Sequence, residues 1–557
     1  MKNNYILLVA LLITFAGFSQ IETTTYRGAF APAPQPMWTN GWANFDPQNA
    51  VYPTPNVNVT TDITVDTRWN ACNTYYLKGQ IFVKNGATLT IDAGTVIRAD
   101  SSLTGPGLFV TKGAKVIAIG TENNPIVFTS DKAVGARSKG DWGGVVLLGK
   151  GSYNINGGVN NIEGLAASPD TQFGGGATPD DNDNSGVLKY VRIEFAGYAY
   201  AANQEINGLT FGATGRGTTI DYVQVSFAND DSFEWFGGSV NCKHLVAYRG
   251  LDDDFDTDNG YNGNVQFCLG VRDPNISDNP TISTSEGFES DNNSTSSAAT
   301  PFTSAVFTNC TLIGPSLRKT YPNAGAFATG YKRAARLRRN TQLKVYNSLF
   351  LDFEEGLFID GSTTETNANF TSPSAGGGTL RWRNNILAGI VSPTLTLTSS
   401  TAANASALAS WYSNNSNSTI SSSAGILTTP YNPSDAQTYT GLDYRPGSSS
   451  PAASGANFTD SAFLSVQNMD SATGTTSLEA IVYPNPSSSS FKLVINAESS
   501  DDVVVSVFDL TGRSIETKTF NYSDVDNTEF GSNYNSGIYL VQIKQGQATK
   551  TVKIVKN

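Results

Sequence analysis

An internal repeat constrains this chain more than any other feature. Residues 221–267, laid on themselves with an offset of 22, place Asp221 on Lys243, Tyr222 on His244, Val223 on Leu245 and Val225 on Ala247. The same offset places Asp230 on Asp252, Asp231 on Asp253, Phe233 on Phe255, Glu234 on Asp256 and Gly238 on Gly260. Each copy is a short alternating strand, an acidic turn, an aromatic and a Gly-rich corner. A unit this short buries no face by itself, so such units stack into a solenoid. Neighbouring rungs then bring their acidic turns together.

Other stretches repeat in the same manner. Residues 81–91 (IFVKNGATLTI) match 108–118 (LFVTKGAKVIA) at an offset of 27, and 189–197 (KYVRIEFAG) match 221–229 (DYVQVSFAN). Alternating apolar positions with Gly86 and Gly113 at the turns predict half-buried strands. Residues 306–314, 342–361 and 379–390 read as further coils, and the Gly- and Asp-rich run 174–186 as an insertion at a corner. Gly, Ser, Thr and Asn dominate and helix-forming runs are few, which predicts an all-β chain. At 557 residues it holds two or more domains.

The net charge of −12 is local: residues 180–291 carry 19 Asp and Glu against 6 Lys and Arg, a balance of −13. An acidic region of this kind attracts cations and repels a phosphate backbone, which excludes nucleic acid as a partner. Residues 1–19 read as a secretory signal peptide: Lys2, then an apolar run, then small residues. No other apolar run reaches the roughly 20 residues that a membrane span needs. Cys72, Cys242, Cys268 and Cys310 would therefore meet an oxidising compartment, where three pairings are open. Interior positions suit free thiols equally well.

The segments GA-x-L-x-I, NPIVFTS (124–130) and WGG (142–144) resemble those of secreted right-handed parallel β-helix proteins, over about residues 63–391. The last 80 residues change character, with short alternating strands at 483–495, 503–515, 536–544 and 550–556 that predict a small, Ig-like β-sandwich. Pro484-Asn485-Pro486, Leu510-Thr511-Gly512-Arg513, Gly537-Ile538-Tyr539-Leu540 and the Lys-rich last strand resemble the type A sorting domain of the Bacteroidota type IX secretion system. The resemblance implies export by that machinery through residues 478–557, and a protein attached to the cell surface or released. The expected organisation is a signal peptide (1–19), an N-terminal cap or lead-in (20–62), a parallel β-helix with its terminal cap (63–467), a linker (468–477) and the sorting domain (478–557). Asp460-Ser461-Ala462 and Asp470-Ser471-Ala472 resemble short acceptor motifs for O-glycosylation in Bacteroidota.

The chemistry concentrates at the stacked acidic turns. Asp254, Asp256 and Asp258 alternate, so their oxygens should face one side, as a hard cation requires. With Asp230, Asp231 and Asp252 they form the expected Ca²⁺ ligands; the spacing is not that of an EF-hand. Coils stack about 4.8 Å apart, and carboxylates at that distance repel unless neutralised. Asp180, Asp181 and Asp183 form a second acidic run that reads as a polar loop. Lys332, Arg333, Arg336, Arg338 and Arg339 follow; Arg336 and Arg338 should face outward together, to grip an anionic polysaccharide or balance the acidic turns. Trp235, beside Phe233 and Phe236, is a candidate sugar platform. His244 is the one histidine and shares its slot with Tyr190 and Tyr222, which reads as a packing ladder. No nucleotide-binding fingerprint is present. The sequence thus points to a surface or extracellular module that binds glycan or an outer-membrane surface protein with Ca²⁺. The alternative is a Ca²⁺-dependent polysaccharide lyase or a glycoside hydrolase.

Overall fold

The computed structural model describes residues 21–201, 204–281, 283–361, 369, 379–398, 402–460, 462–463, 478–483, 487, 489–497, 501–509, 513–521, 529–545 and 548–557. The signal peptide, the linker, the 470–472 acceptor motif and the Pro484-Asn485-Pro486 motif lie outside the described residues, as do Ser461 and residues 510–512. The chain divides into two compact units, Met1–Phe458 and Thr459–Asn557.

The first unit is a stack of parallel strands in a 17-stranded and a ten-stranded sheet, with each coil contributing to both. In the coil that carries the repeat, Thr219–Ser226 lies in the long sheet and Phe233–Phe236 in the short one. Asn241–Tyr248 then returns to the long sheet. The register follows the 22-residue repeat: Asp221 pairs with Lys243 and Val223 with Leu245, then Phe233 with Phe255 and Glu234 with Asp256. Ile81 likewise pairs with Leu108. Alternation decides what is inside. Ile220, Val223, Val225, Phe233 and Trp235 all join one apolar core running the length of the stack. After the last short-sheet strand, Leu395–Thr398, the helix Ala402–Asn414 adds Leu408 and Tyr412 to that core.

In the coils from Gly186–Glu194 to Arg381–Arg383 the long-sheet path bends at one residue, and that residue is left-handed. φ is 52° at Tyr190, 56° at Tyr222, 51° at His244 and 61° at Phe267, then 55° at Asn309, 50° at Asn347 and 58° at Asn384. A left-handed L-residue costs roughly 1–2 kcal/mol. Stacking offsets that cost along the row. Ring centroids lie 4.4 Å apart for Tyr190 and Tyr222, 4.2 Å for Tyr222 and His244, and 5.1 Å for His244 and Phe267. Further along, amides replace rings, and Asn384 donates to Asn347 at 2.7 Å. His244 is therefore a rung of this ladder, its Nδ1 held 2.8 Å from Asp221 Oδ1.

Residues 21–52 belong to the segment expected as an N-terminal cap or lead-in. They run along the outside of the long sheet as a strap. The Glu22 amide donates to Gln266 (2.8 Å), Ala29 to Thr311 (2.9 Å) and Asn44 to Gln224 (2.8 Å), while the Tyr52 hydroxyl donates to Glu194 (2.8 Å). Trp38 and Trp42 set their rings against the ladder, 5.1 Å from His244 and 5.9 Å from Tyr222. The Pro- and aromatic-rich composition thus covers a sheet face that would otherwise expose the ladder. Residues 426–452 share this outer core through Leu427, Tyr431, Tyr439 and Tyr444. All four cysteines are free thiols, Cys72 exposed and the other three buried.

The second unit holds a three-stranded and a four-stranded antiparallel sheet. Their alternating strands enclose Phe491, Leu493, Val505, Val507, Val541 and Ile543.

Candidate metal centre

The outward column of the short sheet changes chemistry from coil to coil. Register places Phe82, Phe109 and Val146 in line with Thr210, then Glu234, Asp256, Glu289, Arg336 and Phe358. The apolar end is covered: Tyr153, Ile162 and Phe173 from the 149–183 insertion, and Ile206 after the hairpin 199–205, pack on Phe109, Val146 and Leu148. The basic end is closed by ion pairs. Arg338 Nε and Arg339 NH1 each meet Asp291 at 2.8 Å, and Arg338 also pairs with Glu289. Arg336 reaches Glu289 at 3.3 Å, and Arg333 reaches Glu286 at 2.8 Å and Glu355 at 2.9 Å. The acidic coils lie between.

The corner before each short strand adds a second file of carboxylates, held by the backbone. Asp231 Oδ1 accepts from the Asp253 amide (2.8 Å), Asp253 Oδ1 from the Glu286 amide (2.5 Å), and Glu286 Oε2 from the Arg333 amide (2.8 Å). One oxygen of each carboxylate thus secures the next coil; the other is left for a further partner at Asp231 and Asp253, and is taken by Arg333 and Thr284 at Glu286. The two files converge on three overlapping groups whose ligand oxygens lie within 4.8 Å of one another: Asp230, Asp231 and Asp252; Asp231, Glu234 and Asp256; Asp253, Asp256 and Glu289. Asp252 Oδ1 and Asp256 Oδ1 are buried and accept no hydrogen bond among the described residues.

Electrostatics makes the demand explicit. Burial pushes the Asp231 carboxyl well above its ordinary range, and the charges of Asp230 and Asp253 push it further. Burial does the same to Asp256, reinforced by Glu289 and Asp291 and opposed by Arg338. Glu289 is pushed up to about 7, by burial first, with Arg338 pulling the other way. Glu163, from the insertion, is pushed up to about 7 by the protein around it and then by Glu205 and Asp256, although its side chain is exposed, which weakens that push. Two responses satisfy such a cluster: protonation, or a divalent cation bound by hard oxygens.

The fold brings some of the expected ligands together and separates others. Asp230, Asp231, Asp252 and Asp256 belong to the converging groups. Asp254 does not. It precedes the strand Phe255–Asp258, is fully buried, and pairs with Arg272 at 2.9 Å, so the alternation expected through 254, 256 and 258 fails at its first member. Asp258 lies at the flank, raised by burial and by Asp291 and Asp256, with one oxygen taken by the Asn259 amide at 2.6 Å. Asp181 and Asp183 tie the insertion down by accepting from the Ser152 and Lys150 amides at 2.7 and 3.0 Å.

Trp235 is corrected outright. Its ring is fully buried, stacked 5.2 Å from Phe211 and 5.3 Å from Tyr261, because alternation turns it inward while Glu234 faces out. No sugar reaches it. Trp235→Ala is expected to cost about 3–5 kcal/mol of stability, read by chemical denaturation. Arg336 and Arg338 do face outward around buried Leu337, but their guanidiniums meet carboxylates of the neighbouring coil.

Glu289 was not legible from the 22-residue offset, because the loop after Val271 lengthens its coil. A signal was nevertheless present. Phe255-Asp256-Thr257-Asp258 returns as Phe288-Glu289-Ser290-Asp291, an aromatic followed by acids on alternate positions.

Residues 61–424 match the family model described as a pectate-lyase-like beta helix domain, and residues 481–557 match the secretion system C-terminal sorting domain. No curated protein matches the chain. Among solved structures, full-length tailspike protein 2 from the Escherichia coli O157:H7 bacteriophage CAB120 is similar at 9% identity over 89% of this chain, with a TM-score of 0.23. The chain spans 59% of that tailspike's length.

Proposed function

We propose that this chain, which belongs to the pectate-lyase-like β-helix family and ends in a secretion-system sorting domain, binds an acidic glycan outside the cell through divalent cations held on its acidic coils. The sorting domain makes it a secreted or cell-surface protein that engages the type IX secretion machinery, and no helix among the described residues is long and apolar enough to cross a membrane. The reading rests on one observation: buried carboxylate oxygens of Asp252 and Asp256, without hydrogen bonds among the described residues, sit in carboxylate groups of which only Glu289 has an ion pair among the described residues. Ca²⁺ is the preferred ion, since it accepts several carboxylates in irregular geometry and keeps a position for an outside oxygen. A uronate carboxylate supplies that oxygen.

Binding is favoured over lyase chemistry by the state of the arginines. A lyase needs a cation near the sugar and a nearby base, whereas Arg333, Arg338 and Arg339 are each held by carboxylates. Glu289, raised to about 7, favours a second reading as a hydrolase that uses it as an acid. The full mature chain should be retained on immobilised uronate polymers with Ca²⁺ and released by chelator, with no unsaturated product absorbance and no new reducing ends. Retention that chelator leaves unchanged would sink the proposal. Chelator-sensitive product formation would replace binding with catalysis.

A further inference from the structure

Two buried arginines of the first unit present a contrast. Arg272 and Arg318 are 0% and 1% exposed. Arg272 NH1 donates to Asp254 at 2.9 Å and to the Asp252 carbonyl, and its NH2 to the Leu251 carbonyl at 3.2 Å. Arg318 sits in the short 3₁₀ turn Arg318–Thr320 and has one long bond, from NH2 to the Pro430 carbonyl at 3.4 Å. Its Nε and NH1 have no partner among the described residues, and it forms no ion pair there. A guanidinium out of water without a counter-charge is among the costliest arrangements in a folded protein.

The surroundings explain what would relieve it. Arg318 lies 3.6 Å from the ring centre of Tyr439, and Arg249 lies 4.1 Å from the same ring. The nearby acids are already engaged: Asp273 takes Arg249 at 2.7 Å, and Asp352 accepts the Tyr431 hydroxyl. The Tyr439 and Tyr444 hydroxyls are also buried without a partner among the described residues. Burial pushes both phenols up, Tyr439 also through the charges of Asp273 and Tyr444, and Arg318 and Arg249 act against the shift in each. The ring faces balance part of the positive charge. They offer no acceptor in the guanidinium plane, where Nε and NH1 point their hydrogens.

We propose that Arg318, with the hydroxyls of Tyr439 and Tyr444, holds a buried halide-sized anion such as chloride. The Arg318 Nε–H and NH1–H groups can only donate and both phenols are able to donate, so an anion accepts from the set and supplies the missing counter-charge, which a water does not. A small monovalent ion suits a region walled by aromatic rings. The site would join residues 318 and 439–444, and so fix the segment before the sorting domain onto the coil.

The test uses the full mature chain in chloride, bromide or gluconate at matched ionic strength. Chloride should raise the melting temperature by about 1–2 °C per tenfold concentration above its Kd, and gluconate should not. Crystals grown in bromide should show one anomalous peak beside Arg318. Arg318→Met should lose both signals; Tyr444→Phe, which keeps the packing, should weaken the chloride dependence if the arginine variant fails to fold. An ordered water and no bromide peak at Arg318, or equal melting in all three salts, would overturn the assignment.

Discussion

Calcium added to the chelated protein at pH 8 is expected to raise its melting temperature by about 3 °C per ion at a hundredfold excess over Kd. The informative variant is Asp256→Asn, because Asp256 belongs to two of the three carboxylate groups. Without calcium the substitution removes a charge that burial, Glu289 and Asp291 all make costly, so the variant should melt above the parent. With calcium the order should reverse, since the parent gains ions that the variant no longer holds. A merely structural Asp256 would give one sign of effect under both conditions.

The second large effect is on pH. Carboxyls at 230, 231, 234, 252, 253, 256 and 258 are all raised above their ordinary range, burial being the first cause of each. Between about pH 4, where unfolded carboxyls titrate, and their raised values, the folded chain binds more protons than the unfolded one. Stability of the metal-free protein therefore falls as pH rises, by about 1.4 kcal/mol per pH unit for each extra proton bound. Glu289, at about 7, shows that the window extends to neutrality. Saturating calcium should flatten or invert the slope, because the ion binds only the ionised carboxylates. Urea unfolding at pH 5, 6, 7 and 8, with and without calcium, reads both slopes.

The acidic coils were legible because a 22-residue repeat fixes register, and register fixes which side chains line up: Glu234 on Asp256 and Phe233 on Phe255 follow from spacing alone. The same rule placed His244 in a ladder with Tyr222. What spacing does not give is the direction of a corner residue. Asp254 sits one residue before its strand, where alternation has not begun, and it turns to Arg272 instead of the cation column. Trp235 was misjudged for the opposite reason: it obeys alternation, and alternation buries it. The strap was unreadable as such because residues 21–52 repeat nothing, and their partners lie hundreds of residues away, as with Glu22 and Gln266. Arg318 and Tyr439 likewise meet from distant parts of the chain.

Calorimetric titration of the chelated full-length protein with calcium tests the central claim most directly. Saturable binding is predicted, lost or cut in stoichiometry in Asp256→Asn and unchanged in Asp181→Asn, whose carboxylate fastens the insertion at Ser152. Absence of saturable binding by the parent, or equal binding by Asp256→Asn, would contradict it.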